Sequence, residues 1–467
     1  MEHKEQILAY FDSHKDDLVR DVCRVVRVDS VKGDPLPDAP FGPGPKAALG
    51  ETLKIASEMG FEPVNLDNYV GLVDIGDGGR QLDILSHLDV VPVMDDWTVT
   101  KPFEPVVKDG RIYGRGSADD KGPSIAALWA MKCVKDLGIP LKKSARLILG
   151  TDEESGSGDV HYYYSRNPEA PMTISPDADY PCIYIEKGGC GGAFASDYDE
   201  GEGARVVSFT SGTRTNVIPG LASAAVAGAD LQDIAAAMSR VSAETGVRFE
   251  AKKEGELVTI GAFGLGSHAS LPMDGNNALT ALISLIVSLP LGGGLYGKLK
   301  ALSKLFPHGD WRGEALGISM EDEAGPLTTA LTVLKAADGK LDGRIDSRVP
   351  LCSTEENTKK VMEAALIKSG FEPHIGQHAP HYVPKDHPLV AELMKTYKEY
   401  TGRGEEPLAI GGGTYVHGLK NGVAFGCAMP GTDNRMHGAD ENAVVDELVI
   451  SAAMMAQVIA DLCGGDE

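Results

Sequence analysis

Two adjacent carboxylates, Glu153 and Glu154, are the first residues of this chain whose type and spacing suggest chemistry. They lie in the segment 150–156, of sequence GTDEESG, which follows an apolar run at 145–149 that predicts a strand. Neighbouring side chains that leave a strand point in opposite directions. One acid can therefore bind a metal ion while the other stays free to move a proton.

Further imidazole and carboxylate side chains stand at predicted strand ends or in turns: His87, Asp89, Asp119, Asp177 and His437. Asp119 follows a glycine-rich turn, and its two carboxylate oxygens can bridge two cations. Glu154 and Asp177 would then be terminal ligands of opposite metals. His87 and His437 would supply one imidazole to each metal. This mixed oxygen and nitrogen set predicts two divalent ions, zinc with manganese or cobalt as alternatives.

Asp89 and Glu153 are predicted to act without binding metal. Asp89 stands two residues after His87 at a strand end, so both side chains leave on the same face. We expect the Asp89 carboxylate to accept a hydrogen bond from the imidazole and to fix its tautomer. Two metals about 3.5–4 Å apart can hold a bridging water and lower its pKa. Glu153, which remains free, is the predicted general base for that water.

The elements that must position these residues change in character along the chain. Helix and strand patterns alternate in the first part, with predicted strands at 81–86 and 145–149 and a predicted helix at 122–137. From about residue 186, alternating strand patterns are mixed with helical ones, at 205–210, 257–262, 231–245 and 277–289. The α/β pattern returns after about residue 382.

This order predicts an α/β fold of two domains, in which an α+β insert at 186–382 interrupts a catalytic domain made of 1–185 and 383–467. His437 follows the insert, whereas the other predicted ligands precede it. The catalytic domain must therefore be discontinuous if all the ligands share one site.

Composition limits the classes of protein that fit. At 467 residues the chain exceeds the size of a single core. It carries 44 Lys and Arg against 68 Asp and Glu, a formal net charge of −24 without a basic cluster, which argues against nucleic acid and membrane partners.

Segment 1–27 predicts an amphipathic helix without the apolar centre of a signal peptide, and no stretch has the ~20 apolar residues of a membrane span. We expect a cytoplasmic protein, monomeric rather than dimeric, with seven buried, reduced cysteines.

Several segments together resemble the motifs of M20 metallopeptidases, and within them those of PepV-type dipeptidases. In chain order they are HLD at 87–89, DGRIYGRGSADDKG at 109–122, DEESG at 152–156 and SPDA at 175–178. The resemblance implies a dinuclear metal centre in a catalytic domain, a ferredoxin-like lid, and hydrolysis of a small peptide substrate in the cytoplasm. It also implies the same roles: ligands His87, Asp119, Glu154, Asp177 and His437, orienting residue Asp89, and base Glu153.

Segments of the insert, TNVIP at 215–219 and GSHAS at 266–270, resemble lid motifs that bring an Asn and a His over the metals. By this resemblance Asn216 and His268 contact the substrate, and His268 donates a hydrogen bond to the developing oxyanion. The alternative for His268 is a helix cap.

Two further segments resemble sites for the substrate carboxylate. RIDSRVP at 344–350 resembles the arginine strand of the lid, which makes Arg348 a planar fork for that carboxylate, with Arg344 as a rival. GGGT at 411–414 is a turn with free backbone amides, and Gly413 is predicted to hold the carboxylate too. The alternatives are a surface ion pair for Arg348 and a simple tight turn for Gly413.

The resemblance, together with the proposed role of Arg348, implies a metal-dependent dipeptidase that cleaves dipeptides with a free C-terminal carboxylate. An M20 deacylase acting on N-acyl amino acids would use the same metals and base, but a long insert favours a dipeptidase, because one large lid covers both ends of a small zwitterion. A catalytically inactive binding protein would lack the base or a ligand, and a scaffold would bury these acids at high cost. Relatives often have an Arg directly after GGGTY, where this chain has Val416 and His417. His417 is therefore a rival to His437 as a metal ligand.

Overall fold

The structure is a computed structural model that describes residues 2–94 and 96–464. Contacts between residues divide the chain into two compact units. The first comprises Met1–Ile185, Tyr382–Leu408 and Gly413–Glu467, and the second comprises Glu186–His381 and Ala409–Gly412. This grouping differs from the predicted segments in two places, because Tyr382 belongs to the first unit and Ala409–Gly412 to the second.

A mixed sheet forms the centre of the first unit. Seven of its nine strands, in spatial order, are Val64–Leu66, Val70–Ile75, Ser144–Gly150, Arg80–His87, Met172–Ser175, Gly422–Ala424 and Ile183–Glu186. The other two, His381–Tyr382 and Leu408–Ile410, both pair with Ile183–Glu186. The four strands from Ser144–Gly150 to Gly422–Ala424 in this order run parallel, and the flanking pairs are antiparallel. The parallel strands Arg80–His87 and Ser144–Gly150 are buried along most of their length, as expected for a sheet covered on both faces.

The parallel strands end at the same edge of the sheet. His87, the last residue of its strand, pairs in register with Gly150, the last residue of the next. Met172–Ser175 ends at that edge as well, two residues before Asp177. The carboxyl edge of a parallel sheet is where α/β proteins place their ligands. The predicted ligands that precede the insert therefore converge there.

Helices surround this sheet: Lys4–Val26, Pro43–Glu58, Lys121–Asp136, Gly158–Tyr164, Pro388–Thr401 and Val445–Gly464. Among the described residues, only Val445–Gly464 is long and apolar enough to cross a membrane, and 67% of its apolar window is buried within the protein. It packs against Lys121–Asp136 and Lys4–Val26. It is a core helix of the first unit.

A second, three-stranded sheet lies beside the central one in the first unit. Val106–Lys108 pairs with Arg111–Tyr113, which pairs in turn with Asn442–Val444. The short strands Ala178–Asp179 and Cys427–Ala428 form a parallel pair. His381–Tyr382 and Leu408–Ile410 lie where the chain passes from one unit to the other.

The second unit is an antiparallel sheet of eight strands with helices. Its strands, in spatial order, are Arg248–Glu254, Leu257–Phe263, Leu221–Ala227, Arg205–Ser211, Thr328–Ala337, Lys340–Val349, Gly188–Asp197 and Glu372–His378. Its α-helices are Leu231–Thr245, Ala278–Val287, Gly293–Leu305 and Lys360–Lys368. Short ribbons pair Val217–Ile218 with Ser267–His268 and Glu321–Asp322 with Gly325–Pro326. The α+β prediction is confirmed, with a sheet twice as wide as the four strands of one ferredoxin-like motif.

Predicted element bounds are close to the observed ones. The helix at 231–245 is observed over the same residues, and that predicted at 122–137 spans Lys121–Asp136. Six of the seven cysteines are buried and all are free, but Cys352 is exposed, so the prediction of uniformly buried thiols was wrong at that position.

Gly150 allows the close packing at the end of its strand. A Cβ at this position would overlap the Tyr415 hydroxyl and the Asp159 carboxylate. We predict that Gly150→Ala destabilises the protein by ~1–3 kcal/mol, as overpacking does. Gly50→Ala is the matched control, because Gly50 is exposed in a helix with nothing within 4 Å of an added Cβ. Urea unfolding measures both, and equal stability of Gly150→Ala and the parent would contradict this packing.

Candidate metal centre

Two groups of side chains in the first unit have the composition and spacing of metal sites. One consists of His87, Asp119 and Asp177, and the other of Asp119, Glu154 and His437. Within each group, the potential ligand atoms all lie within 4.8 Å of one another. Both groups contain one imidazole and two carboxylates.

Asp119 belongs to both groups through different oxygens. Its Oδ1 lies 3.0 Å from His87 Nε2, and its Oδ2 lies 2.8 Å from His437 Nε2. On the outer sides, Asp177 Oδ2 is 3.6 Å from His87 Nε2 and Glu154 Oε1 is 3.4 Å from His437 Nε2. A carboxylate placed in this way can bridge two cations.

Strand ends and loops of the first unit position these side chains. Asp119 precedes the helix Lys121–Asp136, and Glu154 lies in a single 3-10 turn, Glu153–Ser155, after the strand that ends at Gly150. The turn, rather than strand alternation, separates the two adjacent glutamates. His437 lies in a loop and has φ 61°, in the left-handed region that non-glycine residues seldom adopt.

The buried polar atoms of this cluster fit a pair of cations. His87 Nε2 and Glu154 Oε1 are buried and make no hydrogen bond within the described residues. Burial raises the pKa of the Glu154 carboxyl above its usual range. The Asp119 and Glu154 carboxylates raise the pKa of His437 to about 10, although burial opposes this. Buried acids of this number need compensating positive charge, which metal ions supply.

Asp89 holds its neighbours differently from the prediction. His87 Nδ1 lies 3.0 Å from the backbone carbonyl oxygen of Asp89, and the carboxylate oxygen is farther away at 3.5 Å. The two Asp89 carboxylate oxygens instead accept the backbone N–H groups of Glu153 and Glu154, at 3.0 and 3.1 Å. The predicted hydrogen bond from the imidazole to the carboxylate was therefore wrong. The main chain of Asp89 orients His87, and its side chain orients the glutamate turn.

Glu153 has the environment of a base rather than of a ligand. Burial raises the pKa of its carboxyl well above the usual range, His87 lowers it, and neighbouring carboxylates raise it again. Within the described residues its carboxylate makes no hydrogen bond or ion pair, and it belongs to neither ligand group. A half-buried carboxylate that has no hydrogen bond or ion pair and lies beside a candidate metal site can accept a proton.

Asn216 and His268 lie together in the second unit. The ribbon pairs Val217 with His268, and the backbone N–H of Ala269 donates to the Asn216 carbonyl at 2.9 Å. The backbone N–H of Ser270 donates to His268 Nδ1 at 3.2 Å, so Nδ1 is an acceptor. In the neutral imidazole the proton is then on Nε2, which can donate a hydrogen bond.

Arg348 also lies in the second unit and pairs with Asp346. Its Nε and Nη2 donate to the two oxygens of Asp346 at 2.8 and 3.1 Å, and its Nη1 donates to the Gly411 carbonyl at 2.7 Å. A guanidinium has five N–H donors. These three contacts leave one N–H donor on each terminal nitrogen of Arg348.

Gly413 and His417 are the two remaining predicted residues. Gly413 groups with the first unit, although Gly411 and Gly412 group with the second. His417 lies in the turn Tyr415–Gly418 and belongs to neither ligand group of the described residues.

Three residues that orient parts of the site were not predicted: Asp120, Tyr415 and Asp159. The buried Asp120 carboxylate accepts the backbone N–H of His87 at 3.0 Å. Tyr415 packs edge-on against the His87 ring, with centroids 6.0 Å apart, and its hydroxyl donates to Asp159. Asp159 in turn accepts the N–H groups of Thr151 and Asp152. The only sequence signal was their position beside predicted motifs.

Known proteins resemble this chain over nearly its whole length. Residues 84–461 match the peptidase family M20/M25/M40. YtjP of Bacillus subtilis (strain 168) is 36% identical over 459 residues, covering 96% of this chain and 97% of YtjP. The beta-Ala-Xaa dipeptidase of Lactobacillus delbrueckii subsp. lactis is 33% identical over 469 residues, covering 98% of each.

The fold has counterparts among solved structures. Human carnosine dipeptidase 1 superimposes with a TM-score of 0.60 at 14% identity, and all of both chains is covered. The dipeptidase Dug1p of Saccharomyces cerevisiae gives a TM-score of 0.58 at 14% identity, also with full coverage. The resemblance seen in the motifs is confirmed, and the chain belongs to the metal-dependent peptidase family M20/M25/M40.

Proposed function

We propose that this protein is a dipeptidase that hydrolyses dipeptides bearing a free C-terminal carboxylate, with two metal ions and Glu153 as the base. The observation that carries the proposal is the pair of ligand groups that share Asp119, next to the half-buried carboxylate of Glu153, which neither group uses. The likeness to a beta-Ala-Xaa dipeptidase over 98% of the chain supports the substrate class.

In this proposal His87, Asp119 and Asp177 hold one cation, and Asp119, Glu154 and His437 hold the other. Zinc is the proposed metal, with manganese and cobalt as alternatives, because imidazole with carboxylate suits all three. When bound, the pair of cations polarises the scissile carbonyl and lowers the pKa of a water molecule.

Glu153 moves the proton. Its carboxylate takes a proton from the attacking water as the C–O bond forms, and delivers it to the amine nitrogen as the C–N bond breaks. The raised pKa caused by burial suits both steps, because the group can hold the proton between them. The Asp89 carboxylate accepts the backbone N–H of Glu153 and so positions that residue.

Residues of the second unit are proposed to recognise the substrate. His268 donates from Nε2 to the carbonyl oxygen as negative charge develops on it, and Asn216 lies beside His268 on the same ribbon. The two remaining donors of Arg348 receive the C-terminal carboxylate, and the backbone amide of Gly413 is proposed as a second contact for it. The domain roles, catalytic for the first unit and lid for the second, belong to the same proposal.

Deacylation of N-acyl amino acids is less favoured, because the relatives above whose names state an activity are dipeptidases. We also propose that the protein is cytoplasmic, as the resemblance to M20 dipeptidases implies, and monomeric.

The adjacent glutamates are predicted to separate by role. Glu153→Gln keeps both metal ions but lowers turnover by ~10²–10⁴-fold, the usual loss for a general base. Glu154→Ala loses metal as well, because it removes a ligand of one group. Metal content of the purified variants, measured by mass spectrometry beside dipeptide hydrolysis, distinguishes them. Equal metal loss in both variants would show that the roles are assigned wrongly.

Arg348 is predicted to select the free acid. Arg348→Ala should lower kcat/KM for a dipeptide by roughly tenfold to hundredfold, the value of a charged hydrogen-bonded pair, and should abolish the preference over the C-terminal amide. Arg344→Ala, on the same strand, is the matched control and should keep that preference. If the parent cleaves acid and amide equally, or if Arg344→Ala alone loses the preference, the carboxylate is bound elsewhere.

A further inference from the structure

Two loops that carry metal ligands meet beside the three-stranded sheet of the first unit. Asn442 pairs with Tyr113 in that sheet, and the backbone N–H of Gly114 donates to the Glu441 carbonyl at 3.0 Å. The chain leaves one strand toward Asp119 and enters the other from His437. The loops of Asp119 and His437, which are distant in sequence, are therefore joined where these two strands pair.

The Glu441 side chain fastens the loop that carries Asp119. Its carboxylate is fully buried and accepts the backbone N–H groups of Gly116, Ala118 and Asp119, at 3.0, 3.0 and 3.1 Å. Successive backbone amides that converge in this way form a nest for an anion. In this protein the anion is a side chain of the second loop.

The Arg115 side chain fastens the loop that carries His437. Its Nη1 donates to Glu441 at 2.6 Å, and its Nη2 donates to the carbonyls of His437 and Gly438 at 3.3 and 3.0 Å. The guanidinium is 2% exposed and lies over the Trp97 ring at 5.5 Å from its centroid. Arg115 therefore restrains the backbone of His437, which has a left-handed conformation.

We propose that the Arg115–Glu441 pair is a positioning device that joins the loops of Asp119 and His437, in which each residue of the pair positions a different metal ligand. Glu441 fixes Asp119, which serves both subsites, and Arg115 fixes His437, which serves only the subsite with Glu154. His87 and Asp177 are positioned by central strands and do not depend on Arg115. The inference rests on the proposed dinuclear centre.

Substitution of Arg115 and substitution of Glu441 should have different effects on metal binding. Arg115→Lys keeps the positive charge at this position. Lysine lacks the planar guanidinium, so it cannot bind the Glu441 carboxylate and the two backbone carbonyls at once. Only the His437 subsite should then weaken. Glu441→Gln keeps one acceptor oxygen but turns an NH₂ group toward the backbone N–H groups of the nest. Asp119, which serves both subsites, should then move, and both subsites should bind metal more weakly.

The test is titration of the metal-free, full-length protein with Co²⁺, followed by calorimetry and by the visible spectrum. The parent binds two ions. Arg115→Lys binds one with unchanged affinity and the second about 10–100-fold more weakly, the usual effect of losing a residue that orients a ligand. Glu441→Gln weakens both by a similar factor. Arg80→Lys, at an ion pair with Asp83 elsewhere in the first unit, binds both ions like the parent.

The outcomes separate the two proposals. A parent that binds fewer than two ions contradicts the dinuclear centre itself. If the parent binds two ions but Arg115→Lys shows no loss, or equal losses at both subsites, the positioning role of Arg115 is overturned and the dinuclear centre is not. If Arg115→Lys does not fold, Glu441→Gln decides, and unchanged or one-sided binding in that variant overturns the inference.

Discussion

The burial of several carboxylates in one small volume is the constraint on which this structure depends. Glu153, Glu154, Asp119 and Asp177 all stand at the carboxyl edge of the central sheet, and burial raises the pKa of three of them. For Asp119 burial acts in the same direction, but the two imidazoles lower its pKa below the usual range. Such a cluster is costly unless positive charge is placed among the oxygens. The arrangement of the first unit follows from that requirement.

Charged and polar groups behind the ligands fix where the acids point. The Asp89 carboxylate holds the glutamate turn, Asp120 holds the backbone of His87, and Glu441 holds the backbone of Asp119. In each case a buried carboxylate accepts backbone N–H groups of the residue it positions. Backbone donors are fixed by the fold, so these contacts constrain the ligands more tightly than side chain pairs would.

The proximity of the proposed ligands and the alternation of elements could be predicted from the sequence, because both leave local signals. An apolar run that ends in His87, or in the glutamate turn, predicts a strand end, and parallel strands bring such ends together. The discontinuous catalytic domain was predicted from the return of the α/β pattern after the insert and from the position of His437 beyond it. Helix and strand bounds were close because glycine and proline mark the ends of several elements.

Other features had no local signal. The sequence HLD does not reveal that the carbonyl of Asp89, rather than its carboxylate, would face His87 Nδ1, because this depends on the path of the chain after the strand. The pairing of Arg348 with Asp346 matches the ion pair considered as an alternative, but only the hydrogen bond to Gly411 shows which donors remain. The grouping of Ala409–Gly412 with the second unit depends on contacts distant in sequence.

Hydrolysis by rigorously metal-free protein tests the central claim most directly. The parent is depleted with a chelator, its metal content is checked by mass spectrometry, and cleavage of one unmodified dipeptide is followed before and after addition of Zn²⁺, Mn²⁺ or Co²⁺. We expect no turnover without metal, and recovery that is complete at two ions per chain. Full turnover by the metal-free protein would contradict the account.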